Sequence, residues 1–125
     1  MHLIPSLTIV LALAGAAQAA TPDAGVTAPT RASVEAAVLE CHSRYADRYA
    51  TQVDAAPSEI AAGSLAACKQ QMEAFEALAP ALAKQDAHVA IGVGDARAAE
   101  REIVARFREH VRNATIDAVI RARAP

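Results

Sequence analysis

Two cysteines, Cys41 and Cys68, are the residues of this chain best suited to chemistry. In an oxidising compartment two thiols in a small domain usually form a disulfide, whereas in a reducing compartment they more often react or bind a metal. His42 follows Cys41 directly, but consecutive side chains of a helix point about 100° apart, so the two cannot meet as thiolate and base. The pattern therefore predicts a structural Cys41–Cys68 disulfide rather than a cysteine nucleophile.

The other groups that could do chemistry form no recognisable site in the sequence. Three histidines after residue 20, namely His42, His88 and His110, stand in no His-x-x-x-His pattern, and whether they converge in space is left open. The segment Gly92–Gly94 begins like a dinucleotide-binding fingerprint, but Arg97 occupies the position of its third glycine. No Ser/His/Asp spacing is visible. We expect a protein that is not an enzyme and has no cofactor and no metal.

Residues 1–20 predict a secretory signal peptide. They contain no Lys, Arg, Asp or Glu, are apolar from Leu7 to Ala17, and end in small residues. A membrane span needs roughly 20 apolar residues, and this run is broken early and fades at its end. We expect cleavage after Ala19 or Ala20, a flexible segment over 21–30, a periplasmic or secreted bacterial protein, and no stable membrane anchor.

Composition favours an all-α fold. The chain is 54% hydrophobic but only 3% aromatic, and much of the apolar content is alanine, which forms helices well and lets them approach closely. The scarcity of aromatic residues disfavours a carbohydrate platform or a base-stacking surface. The net charge of −2 argues against nucleic acid as a partner.

Apolar residues at helical spacing predict a small three-helix bundle. The first helix is expected over 31–53 and the second over 57–79, with Pro80 ending or kinking it. The turn at 54–57 lies midway between the cysteines, so an antiparallel hairpin brings the two sulfurs level. A third helix is expected over 95–122. The predicted core consists of Val38, Tyr45, Leu65, Met72, Phe75 and Phe107.

The third predicted helix carries two features that suggest a contact with a partner. Residues 21–95 hold five basic and ten acidic side chains, a net of −5, whereas 96–125 hold seven arginines and four acids, a net of +3. The arginine ridge, which we define as Arg97, Arg101, Arg108 and Arg112, lies within about 60° on a helical wheel. We define a C-terminal apolar patch, which lies away from the main apolar stripe of this predicted helix and consists of Ile116, Val119 and Ile120. The ridge either borders the core and pairs with the acids of the hairpin, or binds an acidic partner.

These observations define one domain over 31–125 and three functional hypotheses. The first is a non-enzymatic interaction or stress-type protein of the periplasm, whose partner is another protein or a second copy that contacts the C-terminal helix. The second is an inhibitor or immunity protein of a secreted enzyme, with a loop at 90–94 entering the active site. The third is a metal or haem carrier, for which Met72 and a histidine are the available ligands.

Overall fold

The computed structural model describes residues 28–87 and 93–125, and within these residues helices are the only regular secondary structure. The prediction of an all-α fold is confirmed. The predicted signal peptide and most of the flexible segment lie outside the described residues. Within those residues, no helix combines the length and apolar character needed to span a membrane. The four helices are α1 (Arg31–Tyr49), α2 (Pro57–Ala67), α3 (Lys69–Ala87) and α4 (Val93–Arg123).

The four helices pack as three rods, which fits the predicted bundle. Val38 of α1 shares an apolar cluster with Val111 of α4, and Ala46 of α1 shares a second cluster with Val119 of α4. Because later positions of α1 meet later positions of α4, these two helices run in the same direction. The α2–α3 rod returns antiparallel to both of them.

Helix α1 begins where its sequence predicts and ends earlier. The Thr30 hydroxyl accepts a hydrogen bond from the Ser33 amide at 3.1 Å, which satisfies one of the free amides of the first turn. The predicted end was residue 53, but the helix ends at Tyr49 and the chain turns over the next residues.

Arg123, in the last turn of α4, holds the chain where α1 ends. Its guanidinium donates to the carbonyl oxygens of Ala50 at 2.6 Å, Val53 at 3.0 Å and Ala55 at 2.8 Å. The carbonyls at the end of a helix have no partner within the helix, and a cation is favoured there by the helix dipole. The α1–α2 turn is thus fixed by a side chain that lies about 70 residues later in the sequence but at the same end of the domain.

The predicted second helix is two helices, because the chain breaks at Cys68. Helix α2 starts at Pro57, where the Glu59 carboxylate accepts from the Ala56 amide at 2.8 Å. Before the break the Ser64 hydroxyl oxygen lies 2.7 Å from the Ala61 carbonyl oxygen, and a hydrogen bond of this kind bends helices. Pro80 does not end α3, which continues to Ala87. Proline has no backbone N–H, so the helix lacks one hydrogen bond at Pro80. Ala79 and Leu82, on either side of Pro80, are buried, and their packing stabilises the helix there.

The two apolar clusters confirm most of the predicted core and correct one member of it. Phe75 and Phe107 stack with ring centroids 3.9 Å apart, and Val38 and Met72 belong to the same cluster. Leu65 was predicted to be buried, but 37% of it is exposed. At this level of α2 the residue that faces the interior is Ser64, which is completely buried. The predicted core residue Tyr45 is only half-buried, against the second cluster.

Candidate functional site

The predicted disulfide joins α1 to the break between α2 and α3. Cys41 and Cys68 are bonded, with their Cα atoms 5.9 Å apart. Cys68 is completely buried, whereas Cys41 is half-buried. Each cysteine is therefore fixed to a different rod of the bundle, and the bond holds the two rods together at mid-height.

One member of the arginine ridge pairs within the molecule. The Arg108 side chain donates to the Glu76 carboxylate of α3, with its Nε 3.1 Å from the oxygen. Such a pair is one of the two structural roles that the sequence allowed for the ridge. Arg97, Arg101 and Arg112 are exposed.

The C-terminal apolar patch is not a continuous surface, because Val119, which we expected to be available to a partner, does not lie at the surface. Val119 is completely buried and packs with Ile60 of α2. Ile116 is half-buried, and only Ile120 is substantially exposed, at 53%. The apolar stripe of α4 shifts because this helix packs against α3 in its first part and against α2 near its end.

A groove between α3 and α4 includes two members of the ridge. It has a volume of about 360 Å³, and Glu76 and Glu100 line it together with Arg101 and Arg108. Carboxylates and guanidiniums face each other across the groove, so its charges compensate one another. The groove consequently selects neither an anion nor a cation.

His42 is buried among helices and bonded to a serine. Its Nδ1 lies 2.7 Å from the Ser64 hydroxyl, which is also within hydrogen-bond distance of the Ala61 carbonyl. The Ser64 hydroxyl has one proton, so whether it donates to the Ala61 carbonyl or to Nδ1 depends on which ring nitrogen of His42 carries the proton. Both side chains are buried, and their hydrogen bond links α1 to α2.

The second imidazole nitrogen of His42 has no partner. Nε2 is buried and makes no hydrogen bond with any described residue. Burial lowers the pKa of His42 below its usual value of 6.5, because the charged imidazolium loses its hydration there. The neutral form therefore dominates at neutral pH.

The three histidines after residue 20 do not form a common site in the described part of the chain. His42 is buried, whereas His110 is exposed on α4 with its ring centroid 6.4 Å from that of Phe107. His88 lies outside the described residues. Among the residues that are described, no three His, Cys, Asp or Glu side chains cluster as metal ligands would. Met72, the other haem ligand considered, packs in the first apolar cluster.

A second surface, which we did not predict from the sequence, brings tyrosine and arginine side chains together. Helix α1 presents residues at i, i+3, i+4, i+7 and i+8 along one face, which we call the tyrosine–arginine strip. With Ala67 and Cys68 on the opposite wall, the strip lines a cleft of about 460 Å³. The strip consists of Cys41, Arg44, Tyr45, Arg48 and Tyr49.

The strip contains both tyrosines of the chain. The rings of Tyr45 and Tyr49 pack with centroids 4.4 Å apart and planes tilted by 43°. Tyr45 also lies against α2 at Gly63, where an added Cβ would be 2.6 Å from the tyrosine hydroxyl oxygen. Glycine at this position is what lets the phenol approach the helix backbone.

The two arginines of the strip differ in their partners. Arg44 pairs with Glu40 one turn earlier, and both side chains are well exposed, at 77% and 61%. Arg48 makes no ion pair within the described segments. No acidic residue is among those that line the cleft. The cleft therefore has positive charge next to an aromatic surface.

Comparisons with protein-family models, with curated proteins and with solved structures give no match for this chain. From the sequence we expected Tyr45 in the core and did not predict this surface. The available signal was the spacing: Arg44 and Arg48 precede the two tyrosines by one residue each.

Proposed function

We propose that this chain is a small, exported, non-enzymatic protein that acts by binding another protein through the tyrosine–arginine strip. The strip is the observation that carries the proposal. Tyrosine and arginine are enriched among the residues that dominate binding energy at protein interfaces, because each combines a large contact area with directed hydrogen bonding. Here two of each lie on one helix face beside a cleft.

The position of the disulfide supports the same proposal. Cys41 belongs to the strip and Cys68 to the facing wall, so the bond links the two sides of the cleft. A surface that is rigid before binding loses less conformational entropy on association. The disulfide also supports export, because such bonds persist mainly in oxidising compartments.

The alternative hypotheses receive less support. Of the loop predicted at 90–94 for an inhibitor, Val93 and Gly94 belong to α4, and residues 90–92 lie outside the described residues. For a carrier, His42 is already bonded to Ser64. The arginine ridge stays a second candidate surface, because three of its members are exposed.

A site-specific cross-linking experiment separates the two candidate surfaces. The photoreactive residue p-benzoylphenylalanine is placed at Ala67, in the wall of the cleft that faces the strip, or at Ala105, beside the ridge, in the full chain expressed in its own host. Both alanines are exposed, so each variant should fold, keep the tyrosines and arginines of both surfaces, and act as the matched control of the other. We expect a discrete protein adduct from position 67 only. An adduct from position 105 alone would assign the function to the ridge, and none from either would refute the interaction proposal.

A further inference from the structure

The charge of the cleft indicates the kind of group that it binds. Arg44 and Arg48 stand one turn apart on the same face of α1, a spacing that places their Cβ atoms about 5 to 6 Å from each other. Two long side chains at that spacing can both reach a single anion between them. Guanidiniums pair most strongly with carboxylates and phosphates, since their N–H groups match two oxygens at once.

The ion pair between Arg44 and Glu40 leaves Arg44 available to such an anion. Its partner Glu40 belongs to the same helix and the pair is exposed, so it contributes at most about 1 kcal/mol. An incoming carboxylate that contacts Arg44 and Arg48 together replaces one weak bond with two. Glu40 therefore competes with a ligand without blocking the cleft.

The tyrosines distinguish an organic anion from an inorganic one. Tyr45 and Tyr49 are half-buried and form a tilted aromatic surface next to the guanidiniums. A tyrosine ring offers an apolar face and has a hydroxyl group at one end. A glutamate or aspartate side chain can pack its methylene groups on the rings while its carboxylate meets the arginines. Inorganic phosphate would leave the rings uncovered.

An anionic membrane fits this surface less well than an acidic peptide. Each basic residue near such a membrane contributes about 1 kcal/mol, and the cleft supplies only two. Two exposed acids of α1, Glu40 and Asp47, flank the strip and would be repelled by an anionic surface. A peptide can insert one carboxylate between the arginines without covering the flanking acids.

We infer that the tyrosine–arginine strip binds an acidic segment of its partner protein, with one carboxylate held between Arg44 and Arg48 and its stem packed on Tyr45 and Tyr49. The inference rests on the proposed function and specifies the chemistry of the partner. It goes beyond the arginine ridge, whose member Arg108 is already paired with Glu76.

Peptide binding tests this inference with the full, oxidised chain. The probe is a fluorescein-labelled peptide of alternating glutamate and alanine, and its control replaces every glutamate by glutamine. Fluorescence anisotropy is measured up to about 1 mM protein, a range that detects binding as weak as about −4 kcal/mol. We expect the glutamate peptide alone to bind, and its affinity to fall between about 50 mM and about 300 mM NaCl because salt screens the ion pairs.

Two matched double variants locate the binding. Arg44→Gln with Arg48→Gln removes the charges of the strip, whereas Arg101→Gln with Arg112→Gln removes the same charge from exposed positions of the ridge. We expect an affinity loss of at least about tenfold for the first variant and less than about twofold for the second. Thermal unfolding of both variants checks that they fold.

Three results would overturn the inference. They are no binding of the glutamate peptide, equal losses in the two variants, and tight binding to phosphatidylglycerol vesicles in place of the peptide. None of them affects the cross-linking test of the proposed function. An adduct from position 67 together with a negative peptide result would keep the interaction and exclude an acidic partner.

Discussion

Replacing Arg123 by alanine should release the α1–α2 turn and lower the stability of the whole domain. The guanidinium donates to three carbonyls, of which only that of Ala50, at 2.6 Å, belongs to a part-buried contact. A hydrogen bond from a charged donor in such a setting contributes about 1.5 to 3 kcal/mol, while water can replace the two exposed bonds at little cost. We therefore expect a loss of about 2 to 3 kcal/mol in the free energy of unfolding.

Urea unfolding followed by circular dichroism measures this loss, and thermal unfolding provides a second readout. For a domain of this size each 1 kcal/mol shifts the melting temperature by about 4 to 8 °C, so we expect a decrease of about 10 to 20 °C. Arg121→Ala is the matched control, since Arg121 stands in the same last turn and is exposed. Arg123→Lys should be intermediate, because one ammonium cannot span three carbonyls. Equal stabilities of the Arg123→Ala and Arg121→Ala variants would refute the reasoning.

Three further perturbations test the packing, the buried histidine and the disulfide. Phe75→Ala should lower the free energy of unfolding, measured in urea, by about 3 to 5 kcal/mol, whereas Leu65→Ala, at an exposed position, should lower it by less than about 1 kcal/mol. Similar values for the two variants would contradict the assigned core. Burial lowers the pKa of His42, so the unfolded chain binds its proton more readily, and stability should fall as pH drops below about 6.5. That decrease should be smaller in His42→Gln. Replacing Cys41 and Cys68 by alanine should lower stability by about 3 to 4 kcal/mol, and an unchanged urea midpoint would show that the bond adds nothing.

The sequence was sufficient to predict the elements whose evidence is local. The start of α1 at Arg31, the turn before Pro57 and the pairing of Cys41 with Cys68 each depend on a short pattern or on symmetry about one turn. Apolar periodicity located Phe75 in the core because buried residues on one helix recur at fixed spacing.

The remaining features depend on contacts between helices, which periodicity does not encode. No local pattern indicates that His42 is buried, and its bond to Ser64 on another helix explains why both side chains are buried. The same bond accounts for the exposure of Leu65, since the neighbouring serine occupies the inward position. Val119 lies outside the predicted apolar stripe but is buried, because α4 packs against α3 in its first part and against α2 near its end. The tyrosine–arginine strip was missed because residues at helical spacing can face either a core or a cleft.

Helix α4 covers a core that the hairpin of α1 with α2 and α3 leaves open. Cys41 and Cys68 both belong to this hairpin, so the disulfide closes it without involving α4. In the hairpin alone, Val38 and Phe75 would lack Phe107 and Val111, which pack in the same cluster. Exposed apolar surface of this kind promotes aggregation. A chain that had formed its disulfide but not yet docked α4 would therefore be a covalently closed species with an open apolar seam, which the docking of α4 covers.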